Sequence, residues 1–357
     1  DLGLDARFFN DALGVTFDWY NRTTSDILTT ANLPATLGAD APYENMGTIQ
    51  TKGWELAIDY RHTFKNGLHF GVTASVADDK TEVTKWTYNT KIPSYGATGW
   101  WDKSAYKEGM VLGDIWGLQF DRFLTEDDFN ADGSLKAGLP DQTKVFPAGY
   151  QFAPGDVLYK DLDNNGEIVK QTNTNDKGDL SVIGNALPRL QFGLNLDAAW
   201  KGFDISMFFQ GVAKRKLWAA GNQVLPGFTT GEPFYKGAED YWTPENTDAF
   251  YPRPMDYKQS ASGNYSVNDR YLLNMAYLRL KTFTVGYSLP KVWLSKFKVQ
   301  GLRVYFTGEN LFTIDGVKPA IDPEIGIRTA SGKSDQRNFG RSYPYQKTVS
   351  FGIQLSL

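Results

Sequence analysis

Leu190-Gln191-Phe192-Gly193-Leu194-Asn195-Leu196-Asp197-Ala198-Ala199-Trp200-Lys201-Gly202-Phe203-Asp204-Ile205-Ser206-Met207-Phe208-Phe209-Gln210 is the stretch that decides the fold. Taken two residues at a time, Leu190, Phe192, Leu194, Leu196, Ala198 and Trp200 fall on one face. Gln191, Gly193, Asn195, Asp197 and Ala199 fall on the other. Lys201-Gly202 makes a tight turn, and Phe203, Ile205, Met207 and Phe209 restart the apolar face against Asp204, Ser206, Phe208 and Gln210. Strict period-two alternation across a two-residue turn predicts a β-hairpin. Tilted near 45°, a strand of about eleven residues rises roughly 25 Å, the height of the apolar band of an outer-membrane barrel.

The rest of the chain repeats the pattern. Leu2, Leu4, Ala6 and Phe8 alternate with Gly3, Asp5 and Arg7. Val15, Phe17 and Trp19 follow, then Trp54, Leu56, Ile58 and Tyr60, then Leu68 to Val76 beyond the Lys65-Asn66-Gly67 turn. Phe283 to Leu289, Leu302 to Phe306 and Phe351 to Leu357 complete the set. Connections are short and long in turn, as periplasmic turns and extracellular loops are in transmembrane barrels. The parity holds only if Val111–Phe123 does not cross; otherwise the Lys201-Gly202 turn would lie outside the cell. The expectation is therefore about nine crossing antiparallel strands. Residues 78–187 form one large extracellular loop with its own small hairpin near Val111–Phe123. The segments 21–49 and 213–275 are read as long polar stretches.

Composition agrees. The chain has 357 residues, 15% aromatic, with a net charge of −4 and a mean hydropathy of −0.41. Many aromatics without a general apolar excess suit strands that are half lipid-facing and half wet, and Trp19, Trp54, Tyr60, Trp200 and Tyr287 near strand ends fit aromatic girdles. No apolar run is long enough for a transmembrane helix. There is no cysteine, hence no disulfide framework. The dispersed charge gives no nucleic-acid surface. The two histidines, His62 and His69, flank a turn, with no H-E-x-x-H, P-loop or G-x-S-x-G motif, so an enzyme is not expected. A soluble β-sandwich also alternates, but with shorter strands and no regular short–long connections.

One motif carries sharper chemistry. Asp161-Leu162-Asp163-Asn164-Asn165-Gly166-Glu167-Ile168 has oxygen ligands at positions one, three and five, glycine at six and an apolar residue at eight, as calcium loops do. Thr172 stands at position twelve, where the bidentate acid is expected. The competing reading is a turn rich in Asp, Asn and Gly.

Tyr277-Leu278-Arg279-Leu280-Lys281-Thr282-Phe283-Thr284-Val285-Gly286-Tyr287-Ser288-Leu289-Pro290 resembles a strand of SusC/RagA-type TonB-dependent transporters. Asn45-Met46-Gly47 through Gly53-Trp54-Glu55-Leu56, Gly113-Asp114-Ile115-Trp116-Gly117, Ile183-Gly184-Asn185, Trp242-Thr243-Pro244-Glu245-Asn246, Gly308-Glu309-Asn310-Leu311-Phe312 and Asp322-Pro323-Glu324 agree, in the family's order. The resemblance implies an all-β fold, residues 1–357 being the C-terminal portion of one barrel of about 22 strands, without the plug and early strands. It implies TonB-dependent active import of an oligosaccharide or oligopeptide across a Gram-negative outer membrane, with a SusD-like lipoprotein as partner. A passive porin is the alternative, and a secreted carbohydrate-binding β-sandwich a more distant one. By the family's version of the acidic loop, an acid shortly before Ile183-Gly184-Asn185 completes the calcium set: Asp161, Asp163, Asn165, the Glu167 carbonyl and Asp179. Loop aromatics Trp100, Trp101, Tyr106 and Trp116 could stack on a ligand, but none is assigned. No secretory signal precedes Asp1, and nine strands cannot close so wide a barrel. Asp1 is therefore expected to mark a cut or boundary in a surface loop, with a companion N-terminal fragment pairing against Leu2–Phe8 and Ser350–Leu357.

Overall fold

The computed structural model describes residues 1–30, 42–87, 107–170, 177–219, 221–228, 234–255, 263–294, 299–318, 321–324, 329–330, 333–334 and 343–356. Nine strands form one antiparallel sheet in sequential order. They are β1 (Leu2–Phe8), β2 (Leu13–Thr30), β3 (Tyr43–Thr63), β4 (His69–Trp86), β5 (Arg189–Trp200), β6 (Phe203–Lys214), β7 (Tyr277–Ser288), β8 (Gly301–Asp315) and β9 (Thr348–Ser356). All tight connections lie at one end. Lys201 and Gly202 both have positive φ, 48° and 90°, the conformation that lets a two-residue turn match the strand twist. At the next turn, Gly67 N–H bonds the Phe64 carbonyl at 2.9 Å. β1 and β9 are the edges, and the sheet does not close on itself.

Register converts the sequence alternation into two continuous faces, because residues directly opposite each other in an antiparallel ladder point the same way. Phe70, Ala198, Ile205, Val285, Phe306 and Phe351 form one row across six strands. The next row along is Gly71, Asp197, Ser206, Thr284, Thr307 and Ser350. The apolar face is largely uncovered: Leu2, Phe17, Trp19, Ile58, Phe70, Phe203, Phe351 and Ile353 are all exposed. A water-soluble sandwich would have to bury that face. Among the described residues no helix is long and apolar enough to cross a membrane, which leaves strands free to do so.

The polar face pairs charges across strands. Arg7 meets Asp59 at 2.9 Å and Arg303 meets Asp204 at 2.5 Å. The Asp197 carboxylate lies against Gly71 on the adjacent strand, where any Cβ would collide with it.

The structure extends several strands beyond the sequence expectation. The segment 21–49, read as polar connection, is mostly ladder: Tyr20–Thr24 pair with Gly53–Ile49, and Leu28–Thr30 with Asn45–Tyr43. β4 runs to Trp86, past the expected loop start at residue 78. The expected small hairpin within Val111–Phe123 is a misreading. Asp114–Gly117 pairs with Ser181–Asn185, and Phe120–Phe123 with Val157–Tyr159, so each half bonds distant chain instead of the other.

The molecule's buried core lies in the loops. One cluster gathers Ile115, Trp218, Leu225, Tyr251, Tyr265, Tyr271 and Met275. A second gathers Leu118, Phe123, Phe146, Val157, Tyr159, Ile168 and Trp242. A two-faced sheet has no interior of its own, so only segments standing in water must hide apolar groups from it. The stretch 213–275, read as polar, therefore supplies half of this core. The two long loops interlock, with Leu118 N–H on the Val267 carbonyl at 2.9 Å and Phe120 N–H on Asp269 at 2.8 Å.

Candidate functional site

The acidic loop is built by its own side chains. The Asp161 carboxylate accepts the Gly166 N–H at 2.8 Å, Asp163 accepts Asn165 N–H at 3.1 Å, and Asn165 accepts Glu167 N–H at 2.7 Å. Asn164 and Gly166 take positive φ, 58° and 86°, which curls the chain around these acceptors. Asp179 arrives from further along the chain and is fully buried. Its two oxygens accept N–H groups of Leu162 (2.8 Å) and Val169 (2.7 Å), so one carboxylate fastens both flanks of the loop.

Carboxylate oxygens of Asp161, Asp163 and Asp179 lie within 4.8 Å of one another. One Asp161 oxygen is buried with no partner. Burial pushes the Asp161 carboxyl up, but N–H groups of Gly166, Asn164 and Asn165 outweigh it and hold the group below the usual carboxylate range. Converging carboxylates, one of them with an idle oxygen, form a donor set that suits a hard cation needing six to eight oxygens. Asn165 stands beside the trio. The Glu167 side chain is engaged by Lys144, which leaves its carbonyl as the atom to recruit. Thr172 lies outside the described residues.

A second stretch, which the sequence reading missed, serves as a contrast. Asp128-Phe129-Asn130-Ala131-Asp132-Gly133-Ser134-Leu135 follows the same spacing of oxygen residues, glycine and apolar residue. There Arg122 holds Asp128 bidentately at 2.6 and 2.7 Å. A guanidinium of the protein thus supplies the positive charge. At Asp161 and Asp163 no ion pair to a described residue plays that part.

The polar face offers the other candidate surface. Thr16, Asp18, Glu55, Ser75, Gln191 and Gln210 line a cleft of about 410 Å³ on its inner strands. His69 lies on this side against Asp197 at 3.6 Å, while His62 stacks with Tyr60 on the apolar side, so the two histidines never meet. Of the loop aromatics, Trp116 packs against the second core cluster, and Trp100, Trp101 and Tyr106 lie outside the described residues.

Comparison with known proteins fits this geometry. Residues 1–165 match the family described as TonB dependent receptor-like, beta-barrel. TonB-dependent receptor P3 of Formosa agariphila is 28% identical over 99% of this chain and 33% of its own length. TonB-dependent receptor SusC of Bacteroides thetaiotaomicron is 23% identical over 100% of this chain and 31% of its own. The chain spans about a third of the length of the curated relatives it matches. Among solved structures, the RagAB peptide transporter superposes with a TM-score of 0.67 at 20% identity, over 99% of this chain and 34% of that one, which supports the fold. These relatives are receptors and transporters, not enzymes, and their barrels belong to the outer membrane of Gram-negative bacteria. With a two-faced antiparallel sheet that stays open in this span, the chain carries in residues 1–165 the β-barrel of the TonB-dependent receptor-like family and is similar along its length to the barrel portion of SusC-type proteins.

Proposed function

We propose that this chain forms one wall of an outer-membrane importer that takes up a large nutrient, an oligosaccharide or oligopeptide, at the expense of TonB-coupled work. The observation that carries the reading is the pairing of an uncovered apolar face with a charged and hydroxylated one across nine strands, in a chain related along its whole length to TonB-dependent receptors. A SusD-like surface lipoprotein is the partner expected at the long-loop end. Deleting the gene in the native host, and assaying uptake of labelled oligosaccharides and oligopeptides with and without an uncoupler, tests it. Energy-dependent uptake lost on deletion supports the reading. Uptake that persists unchanged in de-energised cells would instead establish a passive porin.

The acidic loop fits a structural calcium ion. Asp161, Asp163, Asn165, the Glu167 carbonyl and Asp179 would hold it, and it would supply the charge that Arg122 supplies to the neighbouring loop. Its role would be to fix the loop that carries Ile168 and Val169 into the core, with no part in chemistry.

A further inference from the structure

The tight-turn end of the sheet carries a charge pattern that import does not use. Trp200, Phe203, Tyr287, Val304 and Ile353 stand opposite one another across five strands and form the last row of the apolar face before the turns. Trp200 and Phe203 are exposed, and the Phe203 and Tyr287 rings lie 4.5 Å apart. Beyond that row, three successive connections each set an exposed lysine beside an exposed apolar side chain. Lys65 follows Phe64 between β3 and β4, and Lys201 follows Trp200 between β5 and β6. Lys291 precedes Val292 and Trp293, which are 78% and 60% exposed on a single helical turn between β7 and β8. The connections brace one another. The Trp200 indole N–H donates to the Asn66 carbonyl at 3.3 Å, and the Ser288 N–H donates to the Gly202 carbonyl at 2.8 Å. The Lys201 ammonium lies 4.5 Å from the centre of the Trp200 ring.

The protein does not neutralise this rim. No acid occurs in residues 64–68, 200–203 or 288–303. Asp197 and Asp204, which flank the β5–β6 turn, point to the polar face, where His69 lies 3.6 Å from the first and Arg303 holds the second at 2.5 Å. Among the described residues none of the three lysines has an ion pair. The β1–β2 turn differs, with Asp11 and no lysine, so the cationic rim runs from β3 to β8. A transmembrane barrel keeps its short connections at the periplasmic surface, and its interfacial aromatic rings settle at headgroup depth. Lysines next to those rings reach lipid phosphates while their stems lie along apolar groups. Charge then selects the headgroup. A phosphoethanolamine brings its own ammonium against the lysines, whereas a phosphoglycerol brings a phosphate with no cation attached. Apolar side chains beside cations are also what a bilayer surface binds, since acyl chains cover the first and anionic headgroups the second. A soluble acidic protein would leave Val292 and Trp293 in water.

We propose that Lys65, Lys201 and Lys291, with Phe64, Trp200 and Trp293, form a binding rim for anionic phosphoglycerol lipids of the periplasmic leaflet. The rim lies on the lipid side of the wall, so it goes beyond the import reading and needs only the membrane placement of the sheet. The test uses the transporter extracted from outer membranes with the partners it carries there. It is reconstituted into phosphatidylethanolamine bilayers holding a trace of spin-labelled phosphatidylglycerol or spin-labelled phosphatidylethanolamine. Electron paramagnetic resonance reads the fraction of each label immobilised at the protein. The parent immobilises the phosphatidylglycerol label preferentially. Lys65→Gln, Lys201→Gln and Lys291→Gln combined lower that preference about fivefold or more. Arginine at the same three positions keeps it, which separates charge from folding. Lys136→Gln, Lys160→Gln and Lys236→Gln, an equal change of charge at exposed loop positions, also keep it. Equal immobilisation of both labels by the parent, a preference that survives the rim variant, or one that the loop variant loses equally overturns the rim. No uptake is measured, so the outcome is independent of whether import is active or passive.

Discussion

Asp128 and Asp161 open two loops of the same sequence pattern, and the difference between them is the source of charge. The Arg122 guanidinium beside Asp128, with the Thr125 N–H, outweighs burial and holds its carboxyl down to about 2. A depressed carboxyl contributes stability that is present above the unfolded value near 4 and is lost as pH falls from about 4 to about 2. The contribution is about 1–2 kcal/mol once the exposure of Arg122 is discounted. Amide exchange of residues 125–136 is thus expected to stay slow at pH 5 and to quicken between about pH 4 and pH 2, and Arg122→Gln should remove that step. Among the described residues no cation pairs with Asp161 or Asp163. Asp161→Ala with Asp163→Ala should abolish calcium-dependent protection of residues 161–169 from proteolysis and leave the barrel strands folded. An oxygen-coordinated ion at about 2.3–2.6 Å in the parent protein, lost in the variant, is the direct check. A parent protein indifferent to chelators would rule the ion out. The acidic pattern was visible in the sequence; that one copy is satisfied by Arg122, a half-buried residue six positions upstream, was not, because the pairing depends on how the strand Phe120–Phe123 turns back.

The barrel strands were legible in proportion to how unlike their two surroundings are. Leu194 and Leu196 against Asn195 and Asp197 announce one lipid-facing and one wet face, and the ladder carries Leu194 onto Ala74 and Phe209 on the same side. Beyond the membrane that contrast disappears. Along Tyr43–Thr51 burial no longer alternates, with Tyr43, Glu44 and Asn45 exposed and the adjacent Met46 and Gly47 both buried, and irregularities between Thr24 and Leu28 and between Thr48 and Ile49 shift the phase of the pattern. The ladder continues regardless, because its backbone groups still need partners. The same asymmetry predicts mutational sensitivity. Leu194→Arg should cost about 2–4 kcal/mol if it lies near the bilayer midplane, whereas Asn195→Arg, on the wet face, should cost much less. Urea titration of the protein refolded into lipid vesicles measures both. Equal costs for the two would contradict the assignment of faces.

At the scale of the whole molecule, the described residues hold a wide sheet without an interior and a packed body at its long-loop end. That body could not be read from sequence, since its buried residues come from segments far apart: Leu118 and Tyr159 from one loop, Trp242 and Ala249 from the other, share one cluster. One buried carboxylate gathers several of the contacts that join them. Asp156 is fully buried and accepts from Arg253 at 2.8 and 3.2 Å, from Asn264 at 3.0 Å and from the Tyr150 hydroxyl at 2.8 Å. Burial and that carboxylate together push the Tyr150 hydroxyl well above its usual range, so it remains a donor at any physiological pH. Arg253 and Asn264 belong to the loop between β6 and β7, while Asp156 and Tyr150 belong to the loop between β4 and β5. Asp156→Ala strands a half-buried guanidinium and an amide at once, a loss of about 3–5 kcal/mol that falls on the joint and not on the sheet. Hydrogen exchange should therefore quicken together in residues 118–124, 142–159 and 263–272, with strands β5 and β6 unchanged. If only the loop carrying the substitution loosened, the two loops would be independent covers and not one body. Coupled loosening accompanied by loss of the proposed uptake, with the protein still present in the outer membrane, would tie that uptake to the rigidity of this body.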